Sequence, residues 1–396
     1  MNRRVSKAMV ACTAAATLGL TGCGGTSSET GASGTPIKVM TITPVNVPVG
    51  TGLPFPEIGV AAQAAANAIN KAGGIKGHPI QLTVCDNKFN ENQDAACARQ
   101  AVTEGDVALI GGISAQSSHF SVLEQAGIPV IGDYGASDLA LNSPIDFPFV
   151  AATLTFMGCM AELADSAHAK RVALLTRTQA ALQNPILKTN LEALLAKRGA
   201  KLVGYDFFNL SADYTATVAN ALKNNPDAIY LGGGTADQDK ITKLLRQLGP
   251  NVAIARTLIP TSSIRTLGPD AEGMYVCDPF KPPSLADDPN VKKFVDAMKS
   301  TDSQAAVDTV AANTWAAMYA FAQLASTLDS VTSKNLLTAI STAKVETLLG
   351  PTIDFSRTIH PELGYKHIYN FTWSYNQIKK GIIVNINNGR FVDPLA

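Results

Sequence analysis

Between Glu57 and Gly112 the pattern of apolar and polar residues changes period repeatedly. Ile58, Ala61, Ala62, Ala65, Ala66 and Ile69 recur at helical spacing and give one apolar face. Gly73 and Gly74 supply the left-handed residues that end such a helix. Ile80, Leu82 and Val84 then alternate with Gln81, Thr83 and Cys85, the two-residue period of a strand. Ala95, Ala98 and Val102 share one face of a second helix. The run Val107–Gly112 (VALIGG) is short, continuous and apolar, as a strand buried on both faces of a parallel sheet must be. Alternation of this kind predicts a doubly wound α/β fold.

The pattern continues along the chain. Strands are expected at Ile37–Ile42, Ile128–Gly132, Arg171–Thr176, Lys201–Phe208, Ala228–Gly232, Val252–Ala255 and Met274–Val276. Asn184-Pro185 opens a helix with a capping side chain followed by proline in the first turn, and Gly199 closes it. Another helix ends near Gly249, and the alanine-rich Gln304–Leu328 is a long one. Tyr369–Tyr375 and Gly381–Ile386 read as a closing hairpin. With 396 residues the chain is long enough for two Rossmann-like lobes. The expected division is lobe one over 36–151 and 278–354, and lobe two over 152–277 and 355–396, with three crossovers between them.

The first 35 residues follow other rules. Arg3, Arg4 and Lys7 precede an apolar run, Ala8 to Leu20, that is too short to span a bilayer. Residues 1–22 therefore read as a signal peptide. Leu20-Thr21-Gly22-Cys23 resembles a bacterial lipobox, which implies a diacylated Cys23 as the first mature residue; an ordinary signal peptide with an incidental cysteine is the alternative. Gly24–Thr35 is small, polar and of low complexity, and residues 23–35 read as a tether. Twelve such residues span roughly 20 Å, so the expected location is the outer face of the cell membrane. The whole chain balances 32 basic against 32 acidic residues, and loss of the leader leaves it slightly acidic. No basic excess points to nucleic acid.

Of six cysteines, four remain beyond Cys23 in an oxidising compartment. Cys85 ends a strand and Cys97 lies on the next helix, so a short loop can close between them; such a bridge contributes about 3 kcal/mol. Cys159 and Cys277 both fall near expected crossovers and form the second expected bridge, with two buried thiols as the alternative.

The sequence has no GxxxxGK[ST], no GxGxxG after a strand, no HExxH and no CxxC. Gly112-Ile113-Ser114-Ala115-Gln116 approaches a nucleophile elbow but lacks its second glycine. A secreted hydrolase using Ser114 would need a histidine and an acid beside that serine. The five histidines are scattered, and His119 falls nearest. No cofactor and no metal site is expected.

One ligand region is expected instead. The loops Thr43–Pro56, Ile113–Ser118 and Asp133–Ser137 all follow strands, and loops at the carboxyl ends of strands are where open α/β sheets bind ligands. Hydroxyls and N–H groups at the start of the helix after ISAQSS suit a carboxylate or other polar head.

The runs AANAINKAGGIKGHPIQLTVCDN, NQDAACARQAV and ALIGGISAQSS resemble the leucine/isoleucine/valine-binding protein family. These are extracytoplasmic solute-binding proteins of ABC importers, with the type I periplasmic-binding fold. The resemblance rests on Asn70, Gly73, Gly74, Ile75, Gly77 and Asp86, and it continues more weakly through DAIYLGGG and DAEGMYV. It implies a monomer without enzymatic activity that traps a small molecule between its lobes by hinge closure and delivers it to a membrane permease. A Cys85–Cys97 bridge is common in that family. Aligned residue by residue, the family's site falls on Phe55, Ser114, Ala115, Gln116, Ser117, Tyr134, Ala136 and Ser137 in lobe one. In lobe two it falls on Gln179, Thr235 and Thr261, with Phe280 at a crossover.

The chain departs from the amino-acid binders at one point. Where they place an acid that pairs with the ligand ammonium, this chain reads Pro260-Thr261-Ser262-Ser263. A buried ammonium without a countercharge is costly. The expected ligand is therefore uncharged or anionic: an amide, an aromatic or aliphatic carboxylate, or a larger hydrophobic acid. Asp133, Asp237 or Asp239 would restore the charge if the loops packed otherwise. A ligand sensor signalling to a membrane regulator is the alternative on the same scaffold.

Overall fold

In a computed structural model the chain is described from residue 32 to 395, apart from 49–52, 179–182, 184, 234, 258, 371–372, 387–389 and 394. The expected leader, tether and Cys23, and the site residue Gln179, lie outside the described residues.

The alternating periods build two sheets. The first takes its strands from β1 (Ile37–Thr43), β2 (Ile80–Asp86), β3 (Leu109–Ile110), β4 (Val130–Ile131) and β6 (Asp146–Phe147), all parallel and in the order β2-β1-β3-β4-β6. Two short strands beyond it, β5 (Tyr134–Gly135) and β7 (Val150–Ala151), pair with each other. The second sheet has β8 (Arg171–Arg177), β9 (Lys201–Phe208), β10 (Ala228–Leu231), β11 (Ala253–Arg256) and β12 (Tyr275–Asp278) in the parallel order β9-β8-β10-β11-β12. After a small pair, β13 (Lys344–Val345) with β14 (Ile353–Asp354), the chain adds β15 (Trp373–Lys379) antiparallel to β12. β16 (Ile382–Asn385) and β17 (Phe391–Val392) extend from β15. In each parallel set the order reverses once, which makes the fold doubly wound as expected.

The helices α1 (Pro56–Lys71), α2 (Glu91–Glu104), α3 (Ser118–Ala126) and α4 (Ala152–Ser166) alternate with the first strands. α5 (Pro185–Lys197), α6 (Thr215–Leu222), α7 (Thr235–Leu248) and α8 (Thr261–Leu267) alternate with the second set. α9 (Pro289–Thr301), α10 (Thr309–Ser326) and α11 (Ser333–Ile340) follow β12. Strand alternation sorts the core into layers. Val172 and Leu174 face one core, which also holds Ile58, Ala62 and Trp315. Ala173 and Leu175 face another, with Val218, Ile241 and Ile264. Met40, Leu109 and Val130 pack with Ala98 and Phe120 on the outer face of the first sheet.

Several expectations shift at their edges. The strand expected over Val107–Gly112 keeps its ladder only at Leu109–Ile110. Gly111 and Gly112 take φ of +62° and +96° and turn the chain out of the sheet. The closing hairpin starts four residues later than its expected first strand, because Lys380 and Gly381, both at positive φ, make the two-residue turn. Where the sequence predicts only the passage to the second lobe, after residue 151, the chain forms α4.

The cysteines divide. Cys85 of β2 and Cys97 of α2 are bridged, with Cα atoms 5.8 Å apart. The expected Cys159–Cys277 bridge is not formed. Both are buried free thiols, and the Cys277 sulfur lies 3.9 Å from the main-chain oxygen of Cys159. Cys277 is held in β12 and Cys159 in α4, and burial raises both thiol pKa values, so neither is a ready nucleophile.

α10 is built into the ends of β3 and β4. A Cβ on Gly132 would stand 2.3 Å from the Ala317 Cβ, and one on Gly111 would stand 2.6 Å from Thr314 Cγ2. In the space so gained the Asn313 amide donates to the Gly132 carbonyl at 2.7 Å, and the Gly112 N–H donates to Thr314 Oγ1 at 3.3 Å.

Two outcomes are expected. A chain starting at residue 32 will show two thiols when unfolded without reductant and four after reduction, counted with a thiol-reactive dye. Gly132→Ala will lower unfolding free energy by at least about 3 kcal/mol, since an unfavourable φ and a clash with α10 add. Gly127→Ala, also at positive φ but with nothing within 4 Å, will cost only about 1–2 kcal/mol in the same denaturant titration.

Candidate functional site

The carboxyl ends of β1, β3 and β4 deliver the lobe-one candidates. Phe55 is buried at the start of α1, where its N–H donates to the Pro44 carbonyl and its own carbonyl accepts from Thr43 Oγ1 at 2.9 Å. Past the twin glycines Ile113 pairs with Tyr134, and Ser114 N–H donates to the Tyr134 carbonyl at 3.3 Å. The two loops are thereby zipped together, and Ser114 and Tyr134 are neighbours. Both are buried, as is Gln116, whose Oε1 has no hydrogen-bond partner. Ala115 and Ala136 are half-buried. Ser117 is the N-cap residue of α3, and Ser137 accepts the Ala140 N–H on its hydroxyl.

The helix end expected to hold a ligand carboxylate is already filled. Glu91 Oε2 accepts the N–H groups of Ser117 and Ser118, and Asp94 Oδ2 accepts that of His119. The chain's own acids from α2 occupy the positive end of α3.

Behind Ser114 runs a chain of polar groups that sequence reading missed. His119 Nε2 lies 3.5 Å from Ser114 Oγ, and His119 Nδ1 lies 2.7 Å from Asp94 Oδ2. All three residues are buried. Asp94 also accepts from Asn87 at 3.0 Å. Its burial alone would raise its pKa, but the hydrogen bonds and charge of His119 and the bond from Asn87 outweigh that and hold it below the usual carboxylate range. Asp133 stands on the other side of Ser114. Burial pushes its pKa up to about 6, against the opposing effect of a Ser114 hydrogen bond. Asp94 and His119 are 25 residues apart and meet only because α2 packs on α3; no local spacing could signal it.

The lobe-two candidates are less complete. Thr235 opens α7. Thr261 opens α8 and is exposed; two residues on, Ser263 is the buried one, hydrogen-bonded to Asp239. Phe280 is a core residue, 1% exposed, against which a Cβ on Gly350 would collide at 3.0 Å. The acids that could have replaced the missing lobe-two countercharge are engaged. Asp237 accepts from the Tyr214 hydroxyl at 2.7 Å. Asp239 pairs with Arg256 at 2.7 Å, and Arg256, fully buried at the end of β11, also donates to Gln238 at 2.7 Å. An arginine ending the apolar run Ala253–Arg256 was the sequence signal for that pair, since a buried guanidinium requires a partner.

Three further carboxyls are buried, two of which, Asp278 and Asp308, act on Tyr134 through their charge. Burial, and then the charge of Asp308, raises Glu57 to about 8 and Asp278 to about 7. Burial raises Asp308 itself to about 6. Asp308 caps α10 through the Ala311 N–H, and Glu57 lies in the first turn of α1.

Residues 36–366 match the periplasmic binding protein family profile. The chain is 25% identical to the Leu/Ile/Val-binding protein of Citrobacter freundii over 344 residues, 84% of this chain and 90% of that protein. Its fold is similar to that of the branched-chain amino acid transporter substrate-binding protein LivJ of Streptococcus pneumoniae, solved with isoleucine (TM-score 0.66, 20% identity, 88% of this chain and 97% of that one). It is also similar to a fatty acid ABC transporter substrate-binding protein of Thermomonospora curvata (TM-score 0.72, 16% identity, 92% and 95%).

The raised carboxyls fix a pH dependence. Glu57, Asp278 and Asp308 bind protons more tightly folded than unfolded, where their pKa values lie near 4. Their contribution is full below about pH 4 and is lost as pH rises through about 6 to 8. Unfolding free energy will therefore be at least about 1 kcal/mol greater at pH 5 than at pH 8.5. Asp278→Asn, which cannot titrate, will flatten that slope in paired denaturant titrations.

Proposed function

The chain belongs to the periplasmic binding protein family, and we propose that within it the protein is the lipid-anchored, extracytoplasmic solute receptor of an ABC importer. Residues 1–22 direct export, Cys23 carries the lipid, and 23–35 tether the body to the membrane. Lobe one comprises 36–151 and 278–354, lobe two 152–277 and 355–396, and a monomer closes on one small molecule and presents it to the permease. The contact set is Phe55, Ser114, Ala115, Gln116, Ser117, Tyr134, Ala136 and Ser137 from lobe one and Gln179, Thr235 and Thr261 from lobe two. Phe280 acts from beneath, as packing at the crossover.

The ligand is not a plain amino acid. The observation that carries this is the engagement of the lobe-two acids: Asp237 with Tyr214 and Asp239 with Arg256, beside a Pro260–Ser263 loop without an acid. An ammonium placed there would have to compete with Arg256 for Asp239 and with the Tyr214 hydroxyl for Asp237. An uncharged amide is preferred to a carboxylate at the lobe-one end, because Glu91 and Asp94 already fill the start of α3.

A second reading, hydrolysis through Ser114, has the atom order Ser114–His119–Asp94 in its favour. Against it, the N–H groups of Ser114, Ser117, Ser118 and His119 are all committed within the chain and are not available to an oxyanion. Esterase assay of the wild type against Ser114→Ala separates the two: equal, background rates support the receptor.

A thermal-shift panel of branched-chain amino acids, short amides, and aromatic and aliphatic acids tests the ligand class. At a hundredfold excess over the dissociation constant a true ligand adds about 2.7 kcal/mol and raises Tm by several degrees. A shift with amides or acids and none with leucine or valine is expected; a leucine shift overturns the argument from the lobe-two acids.

A further inference from the structure

At the end of α1 away from Phe55 the chain leaves a groove of about 300 Å³. α1 has 16 residues, so about 24 Å separate the two places. Ile69 and Ala72 line the groove from the end of α1, Ile75 from the turn beyond, Tyr319 and Ala322 from α10, and Leu348 from the loop after β13. Its polar groups are engaged. The last α1 carbonyls take the N–H groups of Ala72, Gly73 and Gly74, and the Ser326 hydroxyl donates to the Ala322 carbonyl at 2.7 Å. Gln323 Oε1 accepts the Glu346 N–H at 3.1 Å, and Glu346 Oε1 accepts the Thr352 hydroxyl at 2.6 Å. The buried part of an occupant must therefore be hydrocarbon. One charge at the mouth is different. Lys293 Nζ lies 4.4 Å from the centre of the Tyr319 ring, is exposed, and makes no ion pair among the described residues. Leu348 is held at the lip in a γ-turn of the rare kind, with φ of +64° and the Leu349 N–H donating to the Thr347 carbonyl at 2.7 Å. A bulky residue keeps such a φ only where its surroundings fix it. Thr347 Oγ1 accepts the Gly350 N–H at 2.8 Å, and the Asn290 amide donates to the Leu348 carbonyl at 3.3 Å. The described chain also begins here. Ser33 and Gly34 donate to the Gly77 carbonyl, and a Cβ on Gly74, another lining residue, would stand 2.7 Å from the Ala32 Cβ.

We infer that this groove takes an acyl chain of an anionic bilayer phospholipid, with the headgroup phosphate on Lys293. The tail removes apolar wall from water, and the phosphate meets the one charge at the mouth that has no carboxylate partner. The inference rests on the anchored-receptor reading for the source of the lipid alone. From Cys23 to Ala32 the chain can reach at most about 30 Å, which keeps the groove close to the membrane. Because the groove and Phe55 lie at opposite ends of α1, lipid and solute do not compete for one place.

Residues 31–396 form one compact unit, and a chain of that length lacks the apolar leader that would bind lipid by itself. Trp315 packs on Tyr319 with ring centres 4.3 Å apart, so its fluorescence reports filling of the groove once Trp373→Phe has removed the other tryptophan. This chain is titrated with decyl phosphate, decyl maltoside and inorganic phosphate, the alkyl compounds below their micelle concentrations. Decyl phosphate is expected to bind at least about tenfold more tightly than decyl maltoside, and inorganic phosphate not to bind. Lys293→Glu is expected to abolish the difference between the two alkyl ligands. Ala72→Phe, at an exposed position, is expected to weaken both at least about tenfold while circular dichroism stays unchanged. Equal binding of the two alkyl ligands to the wild type overturns the place given to the phosphate. Undiminished binding to Ala72→Phe, or binding of neither ligand, overturns the groove as the site. In a second arm the same chain is sedimented with vesicles of phosphatidylglycerol or of phosphatidylcholine. Sedimentation with the first alone, lost in Lys293→Glu, is expected; sedimentation with neither, where decyl phosphate binds, overturns the bilayer as the source. Mass spectrometry of the chain extracted from membranes reads the anchor separately. An unacylated Cys23 overturns the anchored-receptor reading and leaves the groove titrations as they stand.

Discussion

The close approach of α10 to the ends of β3 and β4 is the contact on which the candidate site depends. Side chains at Gly111 and Gly132 would overlap Thr314 and Ala317, so the helix can lie there only over bare backbone. Once there, Asn313 and Thr314 satisfy the Gly132 carbonyl and the Gly112 N–H, groups that have left the sheet and would otherwise be buried without partners. The loops bearing Ser114 and Tyr134 spring from these fixed points. They are joined to each other by the Ser114–Tyr134 and Tyr134–Gly112 main-chain bonds. A site on loops is held as if it were on strands.

The polar groups beside the two sheets are engaged differently. Beside the second sheet the polar groups are engaged within the chain, with Arg256 closed by Asp239 and Gln238 and with Asp237 accepting from Tyr214. The lobe-one side is rich in acceptors, since α2 inserts Glu91 and Asp94 beneath α3. Buried carboxyls are expensive to ionise, which is why Glu57, Asp278 and Asp308 hold their protons to unusually high pH. Two of them, Asp278 and Asp308, stand where the chain leaves β12 and where it enters α10.

Much of this was written locally. The periods of Ile58–Ile69 and Ile80–Val84, the glycines that end α1, and the 12-residue spacing of Cys85 and Cys97 each depend on residues a few positions apart, and each formed as expected. Helix and strand period, caps and short loops are short-range physics, so the sequence by itself determined the doubly wound class, most of its strands and the loops that carry the candidates. What it could not determine is which groups meet across long separations. Whether Cys159 and Cys277 are bridged or stay as thiols, whether Ser263 or Thr261 is buried, and whether Asp239 is free or closed by Arg256 are matters of angstroms between elements. The same holds for His119, read from sequence as a scattered histidine and placed by the packing of α2 on α3 between Asp94 and Ser114. Tertiary structure decided these because hydrogen bonds and ion pairs are short-ranged and directional, while the patterns that encode a fold require only that a residue be apolar or polar at the right period.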